Sequence, residues 1–240
     1  MNNCRLPTLV HFFGPDGAGK STHVEILMEL FKKDEPRLKK IWLRSPHTAA
    51  FLLWRLFVKI GFCRVVTNPF GDSIKLPAVN RRRSLRTIWA LIEFFSVLPH
   101  ILRIRFFMLR GYKCIAERYV LDTVVTIAYF IGDIGFLGSR ISRLLFNFIP
   151  DDTLFIFLDS DFETVFNRRA HLRFGESLQK KNRDYGSLPQ SAVEPREFID
   201  FQRSAYAILA NVFKVTRIDT SERSVHETSN EIQKRLEIKE

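Results

Sequence analysis

Cysteine is scarce in this chain of 240 residues: Cys4, Cys63 and Cys114 are odd in number, far apart and never in a C-x-x-C pair. Neither a disulfide framework nor a thiolate zinc site is expected, and a reducing, cytoplasmic setting fits that usage. No run of eighteen uncharged apolar residues occurs, because Arg55, Glu93, Arg103 and Arg105 interrupt the Phe-rich stretches 51–58 and 88–109. A membrane-spanning helix is therefore not expected. Internal repeats and low-complexity linkers are missing too, and so is a signal-peptide pattern, since polar Met1–Pro7 leads into an apolar stretch that runs straight into glycines. Acidic residues are the minority charge: 26 Asp and Glu face 37 Lys and Arg, and the surplus of +11 favours an anionic partner. Nucleic acid, anionic lipid and phosphate-rich small molecules all meet that condition.

With 46% apolar and 26% charged residues, the chain can bury a sizeable core, which excludes disorder, collagen and a disulfide mini-fold. Residues 1–240 read as one domain. Short apolar runs predict strands at Leu9–Phe13, Lys40–Leu43, Lys113–Ala116, Leu154–Leu158 and around Val215–Ile218, with helical stretches between them. That alternation predicts an α/β fold: a five-stranded parallel sheet covered by helices on both faces, its strand C-termini on one ligand-binding edge. Residues 48–110 mix Phe, Leu, Ile and Trp with Arg and Lys at helix-like spacing. The favoured reading is amphipathic helices whose Arg stems cover apolar surface, and the sharper alternative is a basic aromatic face for membrane or nucleic acid.

The segment Gly14-Pro15-Asp16-Gly17-Ala18-Gly19-Lys20-Ser21 satisfies G-x-x-x-x-G-K-[ST] at every fixed position, between a predicted strand and a predicted helix. Its glycines let successive N–H groups converge on phosphate oxygens, at the positive end of the following helix. Lys20 adds a point charge for the outer phosphates, and the Ser21 hydroxyl can hold Mg²⁺. The expected ATP-binding set is Gly14, Asp16, Gly17, Ala18, Gly19, Lys20, Ser21 and Thr22.

Three classes of phosphate-loop protein compete. The chain lacks N-K-x-D and any D-x-x-G after the loop, which leaves a regulatory GTPase poorly supported. An ATPase would want an acidic pair after an apolar strand, and Asp159 is followed by Ser160. A small-molecule kinase gains from the strand ends, where Arg44-Ser45-Pro46 follows the second strand and Glu117-Arg118-Tyr119 the third. Two guanidinium forks facing the loop could grip the phosphate of an acceptor. The basic stretch 167–183, with Arg168, Arg169 and Arg173, reads as part of a cationic lid spanning about 167–190, a solvated charge run being its rival.

Taken together, F-F-G-P-D-G-A-G-K-S-T, R-S-P, G-Y-K-C-I-A-E-R-Y, T-L-F-I-F-L-D-S-D-F-E-T-V-F-N-R-R, F-I-D-F-Q-R-S-A-Y-A-I-L-A and R-I-D-T-S resemble thymidylate kinase, in that family's order and over most of the chain. The resemblance implies the P-loop kinase fold, ATP and Mg²⁺ as cofactors, nucleotide substrates, and phosphorylation of a nucleoside monophosphate with dTMP as first candidate. It implies Lys20, Arg118 and Arg168 as catalytic residues and Ser21 with Glu117 at the metal. It also implies Asp16, Arg44, Arg118 and Tyr119 around the acceptor, an adenine border at Ile218-Asp219-Thr220, and a possible homodimer through the middle helices. No nucleic-acid partner is expected. The chain departs from the family pattern at Phe13, where Glu is usual, at Gly17, where some members carry Arg, and at Glu117 and Asp122. In residues 91–100, Phe94 and Phe95 are available for stacking, but no arginine stands in register to read a base. The alternatives are a different phosphorylated acceptor, or a nucleotide-binding ATPase that docks on membrane or nucleic acid.

Overall fold

The computed structural model describes residues 6–69, 71, 73–168 and 194–237. Strands β1 (Leu9–Phe13), β2 (Leu38–Trp42), β5 (Lys113–Arg118), β6 (Thr153–Asp159) and β7 (Arg217–Asp219) form a parallel sheet in the order β2-β5-β1-β6-β7. All five strands foreseen from the apolar runs are present, the second and fifth displaced by about two residues. Period-two alternation sorts their side chains. Leu9 and Phe13 of β1 face a core shared with Ala116 and Phe157, whereas Val10 and Phe12 join Ile115, Ile156 and Leu158 on the opposite face.

Helices cover both faces. On one side lie α1 (Lys20–Phe31) and α8 (Val225–Glu237), which contribute Val24, Leu27, Ile232 and Leu236. On the other lie α3 (Arg83–Leu109), α4 (Val120–Ile131), α5 (Arg140–Phe146) and α7 (Arg196–Val212). A further helix, α6, runs over residues 162–168 in its described part. Helix α4 is buried along its whole length, and at its start the Asp122 carboxylate accepts the Tyr119 backbone N–H at 3.3 Å.

Residues 48–110 hold more than helices. Between α2 (Thr48–Lys59) and α3 an antiparallel pair, β3 (Cys63–Thr67) and β4 (Ser73–Pro77), stands apart from the main sheet. The Trp54 indole N–H ties α2 to it by donating to the Lys75 carbonyl at 2.8 Å. The helical expectation overlooked this hairpin because C-R-V-V-T and S-I-K-L-P are short and carry charges. The sequence 68–72, with its Pro69 and Gly71 between the two short runs, was the usable signal. Elsewhere it is Arg guanidinium groups, rather than stems, that lie over aromatic rings: Arg110 4.4 Å over Phe106, Arg103 5.8 Å over Phe107 and Arg55 6.0 Å over Phe51. Helix α3 is the one helix among the described residues long and apolar enough to cross a membrane, yet its inner face, with Trp89, Val97, Ile101 and Met108, belongs to the domain core.

One buried group on α3 is costly. Glu93 is fully buried; its Oε2 accepts the Ser45 hydroxyl at 2.5 Å, and its Oε1 has no protein partner among the described residues. Burial pushes this carboxyl up to about 8, with the Ser45 hydrogen bond opposing. The unfolded chain releases the proton near 4.5 and the folded chain only near 8, so between those limits the unfolded state binds fewer protons and stability falls as pH rises. Replacing Glu93 with Gln should therefore raise the melting temperature at pH 8, by the equivalent of about 2–4 kcal/mol. Thermal melts across pH 4–8 test this: the gain should fade toward pH 4, and a gain independent of pH would remove the buried carboxyl as its cause.

Candidate active site

Every strand of the main sheet ends on the same edge, and each delivers a residue there. The loop after β1 curls through three positive-φ glycines, Gly14 at 141°, Gly17 at 92° and Gly19 at 91°. At Gly14 a Cβ would meet the Leu158 carbonyl oxygen at 1.8 Å, so only glycine lets the loop pass β6. At Gly17 a Cβ would stand 2.7 Å from Val165 of α6, which leaves no room for the arginine some thymidylate kinases carry there. Gly19 caps α1 in the left-handed conformation, aiming the unpaired N–H groups of the first turn back into the loop.

Lys20 folds over this loop. Its Nζ donates to the carbonyls of Gly14 at 2.6 Å and Pro15 at 2.7 Å and lies 3.6 Å from the Asp16 carboxylate. Burial pulls its pKa down to about 8, with Asp16 opposing. Asp16 is the hub of the edge. The Arg118 guanidinium, at the end of β5, donates to Asp16 Oδ1, and the Arg44 guanidinium, just past β2, lies 3.8 Å from Oδ2. The Asp16 backbone N–H is held by Gln202 of α7 at 3.2 Å. Arg44 also donates to Glu194 at 2.6 Å. For Arg118, desolvation is outweighed by the carboxylates of Asp16 and Asp122, which fix it as a cation.

Beside this cluster, the Ser21 hydroxyl donates to Glu117 Oε1, and Lys40 lies 3.3 Å from Oε2 of the same carboxylate. A hydroxyl and a carboxylate at a phosphate loop are hard oxygen donors of the kind Mg²⁺ takes when phosphates and water complete its shell, so this pair fits the ion. Arg168 of α6 donates to the Thr220 carbonyl and reaches the Gly17 carbonyl at 3.4 Å, joining the loop to the turn after β7. The Thr220 backbone N–H donates to the Asp159 carbonyl at 2.8 Å. The Asp159 carboxylate is occupied by Arg203 at 3.0 Å and Arg217 at 2.9 Å, an ion-pair role rather than a place beside Ser21.

The structure thus brings together Asp16, Lys20, Ser21, Arg44, Glu117, Arg118 and Arg168. It turns Tyr119 inward: the ring is buried in the core, edge-on to His11 at 5.8 Å. Asp122 is buried as well and accepts the Tyr206 hydroxyl at 2.8 Å, with His11 3.4 Å away, so it acts on Arg118 through space without a hydrogen bond. Phe13 is a core residue stacked on Phe157 at 5.0 Å. Phe94 packs on the core and Phe95 is 64% exposed on the outer surface, so neither joins the ionic cluster. Arg169, Arg173 and the rest of the expected lid, with the segment 187–193, lie outside the described residues. Sequence reasoning missed Gln202, Glu194 and Glu93. Two of them left a signal: Gln202 lies in the quoted F-I-D-F-Q-R stretch, and Glu93 is a lone acid in an apolar helix whose buried carboxyl meets Ser45, the neighbour of Arg44.

Removing the hub carboxylate tests this reading of the cluster. Asp16→Asn leaves the buried Arg118 and Lys20 facing each other with only the more weakly coupled carboxylates of Asp122 and Glu117 to oppose them, and should cost roughly 3–5 kcal/mol in urea unfolding. A loss below about 1 kcal/mol would show that solvent already screens the cluster.

No protein-family model matches the chain, and no curated protein matches it. Among solved structures it is similar to the thymidylate kinase of Candida albicans, with a TM-score of 0.54 and 15% identity over 98% of this chain and 92% of that one. It is also similar to the thymidylate kinase of Ehrlichia chaffeensis, with a TM-score of 0.56 and 14% identity over 97% of this chain and 100% of that one. The chain has the α/β P-loop kinase fold of the thymidylate kinases.

Proposed function

We propose that this chain is an ATP- and Mg²⁺-dependent nucleoside monophosphate kinase, with dTMP as the first acceptor to test. The observation that carries the reading is the single carboxylate of Asp16, which gathers the loop lysine, Lys20, and the two strand-end arginines, Arg44 and Arg118. Donor and acceptor phosphates need cations on opposite sides of the transferred group, and this cluster supplies them within one short span.

In the proposed reaction an oxygen of the acceptor phosphate attacks the γ-phosphorus of ATP, the bond to the β,γ-bridging oxygen breaks, and ADP leaves. The attacking oxygen is already anionic, so no strong base is required. Lys20 exchanges the carbonyls of Gly14 and Pro15 for outer phosphate oxygens, while the loop amides hold the inner ones. Arg44 and Arg118 bind the acceptor phosphate, with Asp16 keeping both forks in place. Ser21 and Glu117 would hold the magnesium ion, which neutralises phosphate charge when bound. Arg168, standing between the loop and Thr220, serves as a cation on the donor side. An ATPase reading loses support from Asp159, whose two arginine partners leave it no free carboxylate oxygen for a metal.

A second acceptor reading has one observation in its favour. On α3, where an arginine would read a thymine, the chain offers Glu93, buried and protonated below pH 8. Glu93 stands behind the Arg44 turn through Ser45 and places no guanidinium there to read a thymine, so a different phosphorylated acceptor stands as the alternative. The Candida albicans structure is described as revealing the origin of broad substrate specificity in that enzyme.

The test is an acceptor panel with ATP and Mg²⁺, covering dTMP and the other nucleoside monophosphates. Turnover with dTMP alone fixes the acceptor, turnover with others selects the alternative, and ATP hydrolysis without any acceptor overturns the kinase reading. Lys20→Ala should lower kcat by at least about 100-fold. Arg118→Ala should raise the acceptor KM by roughly 30-fold or more and leave the ATP KM within about threefold, since the lost ion pairing is on the acceptor side.

A further inference from the structure

We propose, resting on the kinase reading of this edge, that the cleft between β3 and the first turn of α7 receives the base of the acceptor nucleotide. Arg64 and Glu197 there select bases that present a ring carbonyl beside a ring N–H. The cleft has a volume of about 400 Å³ and is bordered by residues 64–67 of the hairpin and 195–197 at the helix start. Arg64 is its anomaly. The residue is half-buried, its Nε is out of reach of water without a hydrogen-bond partner, and no carboxylate pairs with it among the described residues. Its guanidinium lies 5.1 Å over the Tyr129 ring, a contact that fixes the plane of the fork but accepts none of its N–H groups in their plane. A half-buried cation without an acceptor is costly, and the cleft is the side from which an acceptor can reach it. On the other wall, Glu197 Oε1 accepts the Tyr129 hydroxyl at 2.7 Å, which steadies the carboxylate and leaves Oε2 without a partner among the described residues. Arg196, the third charge on the cleft, is engaged elsewhere: it lies 3.6 Å from Asp200 and 4.9 Å over the Phe162 ring.

This placement suits an acceptor already held by its phosphate. Arg44, one of the two forks assigned to that phosphate, is bonded to Glu194 at 2.6 Å, and Glu194 adjoins Pro195 of the cleft. Along α4, Asp122 acts on Arg118, and Tyr129, seven residues further on, holds Glu197, a rise of about 10 Å. A nucleoside monophosphate spans a similar length from its phosphate to the edge of its base. The two side chains then set the chemistry. Thymine, uracil and guanine each place a ring carbonyl next to a ring N–H, which answers a guanidinium donor and a carboxylate acceptor in turn. Adenine and cytosine present an amino group and an unprotonated ring nitrogen at the same positions, so donor would face donor and acceptor would face acceptor. The arginine that α3 does not supply is thus supplied by the hairpin.

Titration calorimetry with dTMP, dUMP, dGMP, dCMP and dAMP tests this without requiring turnover. The wild-type protein should bind the first three at least about tenfold more tightly than the last two. Arg64→Ala should weaken dTMP and dGMP at least about tenfold and change dCMP, dAMP and ATP by less than about threefold. Arg64→Met, which keeps a side-chain stem beside Tyr129, should do the same. Glu197→Gln retains an oxygen for the Tyr129 hydroxyl and should lower the preference for the first three by at least about fivefold. Equal wild-type affinity for all five, or Arg64 variants that weaken all five alike or none, overturns the assignment of the base and leaves the kinase reading standing. Binding of ATP with no binding of any monophosphate overturns both.

Discussion

A buried carboxylate that answers several cations at once organises this molecule's working edge. Asp16, Lys20 and Arg118 are buried together, each charge answering another, and the partly exposed Arg44 closes the group from the solvent side. Mutual dependence fixes geometry: the phosphate loop, the turn after β2 and the end of β5 are pinned to one point although they are far apart in the chain. The sheet makes this possible, since β5 is hydrogen-bonded between β2 and β1 and brings Arg118 to the loop with little freedom. Gln202 of α7 fastens the same aspartate from the helical layer. Fold and site are therefore one construction at this edge.

A second level of order comes from polar groups buried just behind the edge. His11, Asp122, Tyr119 and Tyr206 form an interior set under β1, in which Asp122 caps α4 and receives the Tyr206 hydroxyl. Its negative charge reinforces Arg118 without touching it. The set is only partly satisfied: the Asp122 carboxylate is held by Tyr206 and the Tyr119 backbone N–H, whereas the Tyr119 hydroxyl and His11 Nδ1 meet no hydrogen-bond partner among the described residues.

Most of the sheet was legible from sequence because parallel, doubly covered strands read as short apolar runs, and L-V-H-F-F and T-L-F-I-F-L-D are of that kind. The loop was legible for a different reason: its glycines answer to steric limits that hold in any chain, as the Leu158 carbonyl beside Gly14 shows. The strand-end arginines followed from topology, since a parallel sheet leaves their strands no other edge on which to finish. What escaped was tertiary. The β3–β4 hairpin has too few residues to establish a period, Glu194 reaches the site from a segment with no motif, Gln202 sits in the F-I-D-F-Q-R stretch without a role assigned to it, and Tyr119 looked like an edge residue although the chain turns it into the core. Asp122 stood out only as a departure from the family pattern, because its partner, Tyr206, lies 84 positions away.

The crowding at Gly14 also limits how this chain can vary over generations. Every codon change that replaces glycine with another amino acid adds at least one carbon, and here that carbon would land inside the van der Waals radius of a β6 oxygen. Gly17 differs, since its obstacle is a valine side chain that can be shortened, leaving only the positive φ, which asparagine tolerates. Drift within this loop is thus expected to begin at residue 17 and to be arrested at residue 14.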